Sequence, residues 1–168
     1  MTEVPEKTPA LPGEAGQDAD LMIAQQIERG VGRLLGALGI ASVSELPLAN
    51  GRRADVAGLT RDGKVWIVEI KSSLADLRSD RKWPEYRDYC DQLFFAVMAD
   101  FPREHLPPDT GLMLADRFGG EIVREAPSHP LSAARRKAMT LAFARCAAVR
   151  LRSFIDPKLD PLNFRGEV

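Results

Sequence analysis

Two acids and a lysine near the middle of the chain have residue types and a spacing that could hold a divalent metal against a phosphate. Glu69 and Lys71 lie two residues apart in the apolar segment 65–71, which has the pattern of a buried β-strand. Side chains alternate along a strand, so these two charges project from one face. A buried charge is unfavourable without a partner. Asp55, upstream in a second apolar segment, is the candidate second carboxylate.

This D…ExK pattern suits metal-dependent hydrolysis of a phosphodiester. Asp55 and Glu69 could bind one Mg²⁺ or Mn²⁺, with the Ile70 carbonyl as a further ligand, and water and phosphate oxygens could fill the other positions. The metal acidifies a bound water, while Lys71 orients that water or neutralises the phosphate. The alternative is structural: Glu69 and Lys71 form an exposed ion pair on a half-solvated strand, and Asp55 lies near a turn.

The register of one hairpin decides whether these carboxylates meet. With a strict two-residue turn, Asp55 would lie opposite Ile70 and face away from Glu69. A metal site needs Asp55 opposite Glu69 instead. We therefore predict an irregularity between Asp55 and Lys64, which is either a bulge at Gly58 or a three-residue loop.

Hydrophobic periodicity and turn residues predict the elements around this hairpin. Their order is α-β-β-β-α-β-β-β-α, which indicates an α/β or α+β sheet with helices packed on it. The turn Arg61-Asp62-Gly63 joins the two strands that carry the acids. The predicted helices are 19–38, 74–80, 84–92 and 131–154, and the predicted strands are 40–46, 53–59, 64–71, 93–98, 111–116 and 121–124.

The 168 residues are enough for one domain, which we place at 19–156. Residues 1–18 are rich in Pro, Gly and charge and are predicted to be disordered, and 157–168 to be a tail. Net charge is −1, so nothing global indicates a nucleic-acid partner. Two isolated cysteines, no signal peptide and no apolar run long enough to span a membrane lead us to expect a cytoplasmic protein.

These residues resemble the PD-(D/E)xK nuclease superfamily, whose core is α-β-β-β-α-β with its motif on the second and third strands. Asp55, Glu69 and Lys71 match the three signature positions, and Ala54 replaces the proline. The resemblance implies a restriction-endonuclease-like mixed central sheet flanked by helices. In this superfamily the first helix often carries a glutamate that faces the metal site. Glu28 is the candidate here, and the alternative is a solvated helix position.

Longer strings resemble the MmcB-like DNA repair proteins, and the resemblance covers about 19–154. It implies a DNA-damage-response role on a nuclease-type fold, but neither a substrate nor cleavage. Its strings are Arg53-Ala54-Asp55-Val56, Val68-Glu69-Ile70-Lys71-Ser72-Ser73, Asp80-Arg81-Lys82-Trp83-Pro84-Glu85-Tyr86 and Arg124-Glu125-Ala126-Pro127.

The densely charged segment 79–91 has two interpretations. Arg81 and Lys82 could contact a DNA backbone, with Tyr86 lining the cleft; otherwise the segment is a solvated helix with internal ion pairs. The helix at 131–154 carries six basic residues and no acid, which is either a local phosphate-binding surface or a solubilising one. Walker A, GxGxxG and GxSxG patterns are absent from the sequence.

Three functions remain open from the sequence: a metal-dependent nuclease in DNA repair, a catalytically inactive DNA- or protein-binding accessory module, and a structural domain. The near-neutral charge predicts weak DNA affinity for the protein alone. We therefore expect that a repair-protein partner could recruit it to DNA.

Overall fold

Six strands form one mixed sheet in sequence order, and the computed structural model describes residues 12–158. The strands are β1 (Ala41–Pro47), β2 (Arg53–Leu59), β3 (Val65–Ile70), β4 (Gln92–Val97), β5 (Gly111–Ala115) and β6 (Gly120–Arg124). The pairs β1–β2, β2–β3 and β5–β6 are antiparallel, whereas β3, β4 and β5 run parallel. The C-terminal ends of these three parallel strands therefore meet at one edge of the sheet.

Helices cover both faces of this sheet. The helix α1 (Pro12–Ala37) packs Ile27, Val31 and Leu35 against one face, and α3 (Ala133–Ile155) packs Met139 against the other. Alternation along each strand divides the apolar residues between these two cores. The remaining helical elements are α2 (Leu74–Ser79) and the 3₁₀ helices Trp83–Tyr89 and Arg103–His105. Among the elements of residues 12–158, none has an apolar helical stretch sufficient to span a lipid bilayer.

The predicted element order is confirmed, the 3₁₀ helix Arg103–His105 is an addition to it, and two of the predicted helices differ in detail. The first helix begins at Pro12 rather than Ala19, because proline is well suited to the first turn of a helix. Residues 12–18 are therefore helical rather than disordered, and 1–11 and 159–168 lie outside the described residues. The segment predicted as an α-helix at 84–92 is a 3₁₀ helix, a form typical of short connections, and it ends before the extended residue Cys90.

The β2–β3 hairpin contains the three-residue loop, not the bulge. Pairing runs from Val56–Val68 through Gly58 without interruption. The loop Arg61-Asp62-Gly63 closes with Gly63 at a φ of 81°, in the left-handed region that glycine adopts most readily. The predicted irregularity is thus confirmed, and it sets the register that the carboxylates require.

Gly30 lies where α1 touches the turn between β5 and β6. A Cβ atom there would lie 2.1 Å from the Asp116 carbonyl oxygen and 2.5 Å from that of Gly119. We expect Gly30→Ala to lower the free energy of unfolding by about 1–3 kcal/mol, because the helix or the turn must move. The measurement is urea unfolding of the variant and the wild type.

Gly32→Ala is the matched control for this substitution, since a Cβ atom at Gly32 meets nothing within 4 Å. Both glycines lie inside α1, so the helix propensity of alanine favours both substitutions equally. Alanine at Gly32 should stabilise the protein by about 0.4–1 kcal/mol. Equal changes at the two positions would contradict the steric explanation.

Candidate active site

Asp55 and Glu69 meet where β2 and β3 separate. The paired ladder ends at Val56 and Val68, and the next residues outward are the two acids. Glu69 Oε1 accepts a hydrogen bond from the Asp55 N–H (3.3 Å), and Asp55 Oδ2 accepts one from the Ile70 N–H (2.8 Å). Side chains thus satisfy backbone groups that the ladder no longer pairs, which fixes both carboxylates at the opening between the strands.

The electrostatics of this pair favour a bound cation. Burial, followed by the charge of Asp55, raises the pKa of Glu69 to about 8, and the Glu69 side chain is only 2% exposed. Burial also raises the pKa of Asp55, against the opposing effects of the Ile70 N–H and Lys71. Two adjacent, largely buried carboxylates whose charge Lys71 compensates only in part are typical of catalytic centres.

Lys71 lies beside these carboxylates, but its ammonium group is paired elsewhere. Lys71 Nζ lies 2.7 Å from Asp80 Oδ2 and 3.9 Å from Asp76 Oδ1, and its side chain is 5% exposed. Burial alone would lower the pKa of Lys71, but the hydrogen bond to Asp80 and the nearby acids raise it above its ordinary value. The lysine is therefore protonated and already bound at the C-terminal end of α2.

Glu28 does not join the pair. Its carboxylate accepts a hydrogen bond from the Ser44 hydroxyl on β1. Ser44 is paired with Val56, which packs in the α1 core, whereas the neighbouring residue Asp55 projects from the other face. The structure thus corrects the expectation that Glu28 is a metal ligand, and Glu28 is not part of the site developed below.

Sequence reasoning missed three acids near the end of β3. Asp76 and Asp80 lie beside Lys71, and Asp20 of α1 accepts a hydrogen bond from the Ser73 hydroxyl (3.3 Å). The spacing of Asp76 and Asp80 was an available signal, because residues four apart share one face of a helix. Nothing local in the sequence indicates that Asp20 approaches Ser73.

The donor set that remains fits a magnesium-like ion. Within residues 12–158, no group of three or more His, Cys, Asp or Glu side chains is arranged to hold a metal. The candidate side-chain ligands are therefore the pair Asp55 and Glu69. Their described hydrogen bonds use Asp55 Oδ2 and Glu69 Oε1, so each carboxylate keeps a second oxygen for an ion. Mg²⁺ commonly takes one or two carboxylates and completes its shell with water and phosphate oxygens.

The three residues predicted to bind substrate are divided by their exposure. Arg81 and Lys82 are exposed and directly follow Asp80. Tyr86 is buried, and its hydroxyl donates a hydrogen bond to the Arg53 carbonyl (3.2 Å). Burial, followed by the charges of the two site carboxylates, raises the pKa of Tyr86. Tyr86 therefore lies beside the carboxylates as a buried residue. Of the three predicted residues, only Arg81 and Lys82 are accessible to a phosphate backbone.

Two of the basic residues on α3 hold the fold together. Arg136 binds both carboxylate oxygens of Asp91 (2.6 and 2.8 Å) and the Gly63 carbonyl (2.8 Å). Arg150 donates hydrogen bonds to two carbonyl groups within β1. These guanidinium groups are already engaged, so the basic surface predicted on this helix is smaller than its sequence indicates.

A mixed six-stranded sheet between helices defines an α/β protein, and the architecture is consistent with a restriction-endonuclease-like fold. The chain belongs to the MmcB-like family, because the family model described as DNA repair protein MmcB-like matches residues 11–158. The family description indicates a role in DNA repair and an interaction with DNA.

One solved structure resembles the chain closely. It is the SPO1766 protein of unknown function from Silicibacter pomeroyi, which is 46% identical, with a TM-score of 0.81. The similarity covers 84% of this chain and 97% of that one. A search of the curated proteins found no match.

Proposed function

We propose that this protein is a metal-dependent DNA phosphodiesterase that acts in DNA repair. The observation that supports the proposal is the juxtaposition of Asp55 and Glu69 at the opening between β2 and β3. Burial and the Asp55 charge hold the pKa of Glu69 at about 8 although Lys71 opposes this rise, so a bound cation would further stabilise the ionised forms of both carboxylates.

Each residue of the site has a definite role in this reaction. Asp55 and Glu69 would hold one Mg²⁺ or Mn²⁺, with the Ile70 carbonyl as a candidate third ligand. The bound metal supplies an acidified water and stabilises charge on the phosphate. The Ile70 N–H orients Asp55, and the Asp55 N–H orients Glu69. Lys71 neutralises the scissile phosphate, which requires its ammonium group to exchange Asp80 for the substrate.

A second function, a DNA- or protein-binding accessory module without catalysis, is favoured by the state of Lys71. Its ammonium group is buried and paired with Asp80. In that interpretation Lys71, Asp80 and the two carboxylates only stabilise the end of β3. The protein would then contribute to repair by binding DNA or another repair protein.

Cleavage of a DNA panel tests the two functions. Single strands, flaps, junctions and damaged duplexes are incubated with Mg²⁺ or Mn²⁺, and metal binding is followed separately by calorimetry. We expect the wild type to cut at least one form only when metal is present. Lys71→Ala should slow cutting by about 10²–10³-fold while metal still binds, because charge stabilisation of the transition state is lost.

Lys64→Ala is the matched control, because Lys64 is an exposed lysine paired with Asp62 in the β2–β3 loop. It should cut at the wild-type rate. Metal binding without cutting of any DNA form, together with DNA binding that Lys71→Ala leaves unchanged, would instead support the accessory module.

A further inference from the structure

The turn at residues 116–119, which joins β5 to β6, lies at the same edge of the sheet as the carboxylate pair. Strands β3, β4 and β5 are parallel, and their pairing sets Glu69 level with Phe95 and Phe95 level with Leu112. The turn begins four residues beyond Leu112, on the same side as Lys71. Because β3 and β5 are two strand spacings apart, the lateral separation is about 10 Å.

The backbone of this turn is fixed from two sides. The Asp116 carboxylate accepts hydrogen bonds from the N–H groups of Phe118 (2.7 Å) and Gly119 (3.2 Å). Arg33 of α1 donates to the carbonyls of Arg117 (2.9 Å) and Phe118 (3.0 Å). At Gly30, α1 also packs closely against the carbonyl groups of Asp116 and Gly119 at the two ends of the turn. The side chain of Phe118 is therefore displayed on an ordered backbone.

Phe118 is 68% exposed, and its ring lies against one arginine. The Arg117 guanidinium lies 4.5 Å from the centre of its ring. Arg29 and Arg33 are exposed and four residues apart on α1, so they share the helix face that contacts the turn. An isolated exposed apolar residue needs no explanation. An exposed aromatic ring with Arg117 against it, and with Arg29 and Arg33 on the helix that contacts the turn, has the two properties that single-stranded nucleic acid requires, namely a stacking surface and positive charge.

We propose that Phe118 stacks on an unpaired base of the DNA strand whose backbone passes the Asp55–Glu69 site, and that Arg29 and Arg117 contact the phosphates of that strand. The choice of DNA as partner rests on the proposed function. The base is unpaired because bases inside a duplex already stack on their neighbours. The turn lies about 10 Å across the sheet and about 13 Å along the strands from the level of Glu69, and about five nucleotides at about 3.4 Å each span the resulting distance of about 17 Å. The turn thus selects single-stranded ends, flaps or gaps over intact duplex.

Fluorescence anisotropy with a labelled single-stranded oligonucleotide and a blunt duplex, both in EDTA, tests this surface without requiring cleavage. Phe118→Ala should weaken single-strand binding by about 5- to 100-fold, the range for loss of one base–aromatic stack. Its effect on the duplex should be much smaller. Phe154→Ala is the matched control: this phenylalanine is 85% exposed near the end of α3 and should leave both affinities unchanged.

Two further variants separate stacking from charge. Phe118→Trp should retain single-strand affinity, and its added fluorescence should be quenched when the oligonucleotide binds. Arg117→Ala should reduce the slope of log affinity against log salt by about 0.7, whereas Phe118→Ala should leave that slope unchanged. Circular dichroism and urea unfolding confirm that each variant is folded, as expected for substitutions at exposed positions.

Several results would overturn the proposal: wild-type single-strand affinity in Phe118→Ala, an equal loss for single strand and duplex, or absence of DNA binding by the wild type. Failure of the proposed function gives a different result. A protein that binds single strands through Phe118 but cuts no DNA with any metal retains this surface and loses only the catalytic role of Asp55, Glu69 and Lys71.

Discussion

Replacing Glu69 by glutamine is expected to abolish metal-dependent DNA cleavage and, at the same time, to stabilise the metal-free protein at alkaline pH. Glutamine keeps the oxygen that accepts the Asp55 N–H but carries no charge to bind a cation. One of two carboxylate ligands is lost, so we expect the single-turnover cleavage rate to fall at least about 10³-fold, equivalent to about 4 kcal/mol.

The gain in stability follows from the pKa of Glu69. Burial and the Asp55 charge raise it from 4.5 to about 8 on folding, so between these values the folded protein holds a proton that the unfolded chain has lost. The contribution of Glu69 to stability is fully present below about pH 4.5 and is lost as the pH rises through about 8. A neutral glutamine shows no such decline, so at pH 9 the variant should be more stable by on the order of a few kcal/mol.

Urea unfolding in EDTA at pH 5, 7 and 9 measures this difference, and cleavage assays on the same preparations measure activity. Glu85→Gln is the control, because Glu85 is an exposed acid paired with Arg52 outside the site. It should retain cleavage. Persistent cleavage by Glu69→Gln would remove Glu69 from the metal site, and a pH dependence identical to that of the wild type would show that its carboxylate does not titrate as the structure indicates.

Asp91→Ala should cause the largest loss of stability among substitutions of charged residues. The Asp91 side chain is only 3% exposed, and it accepts hydrogen bonds from the N–H groups of Val65 (2.7 Å) and Leu131 (3.0 Å) as well as from Arg136. Alanine leaves the two N–H groups without this acceptor, and of its described hydrogen bonds Arg136 keeps only the one to the Gly63 carbonyl. We expect the free energy of unfolding to fall by about 2–4 kcal/mol. Breaking a fully buried ion pair typically costs about 3–5 kcal/mol. The expected loss is smaller here because the Arg136 side chain is 32% exposed.

The pH dependence of this interaction has the opposite sign to that of Glu69. Although burial opposes it, the hydrogen bonds from Arg136 and from the two N–H groups lower the pKa of Asp91. Its stabilising contribution is therefore present above the unfolded pKa of about 3.9 and is lost as the pH falls through the lower folded value. Urea unfolding at pH 7 and pH 3 measures both effects. Asp88→Ala, at an exposed acid nearby, is the control, and equal destabilisation by the two substitutions would contradict the argument.

Local patterns predicted the positions of Asp55 and Glu69 well. Side-chain alternation, a glycine-containing loop and the need for the two acids to face each other are properties of one hairpin, and they were sufficient to predict its register. The partner of Lys71 was not predictable in the same way. The spacing of Asp76 and Asp80 places them on one face, but whether that face meets Lys71 depends on the direction in which α2 leaves β3, and packing sets that direction.

Long-range contacts explain the other differences. Glu28 is the glutamate that the resemblance implies, but its position around the axis of α1 places its carboxylate against Ser44 of β1. Arg136 looked like one member of a solvated basic surface, yet it binds Asp91, which is distant in sequence. Composition and periodicity do not indicate which arginine pairs with a buried acid, because that pairing depends on the complete tertiary structure.

The hydrogen bonds from Arg150 to β1 have a consequence for how copies of this protein behave together. An edge strand has unpaired N–H and C=O groups that can pair with another polypeptide chain, which makes it a template for aggregation. Here Arg150 of α3 lies over the edge strand β1 and donates hydrogen bonds to the carbonyl groups of Ser44 and Glu45. These two carbonyl groups of β1 are therefore not free to pair with the edge strand of another copy.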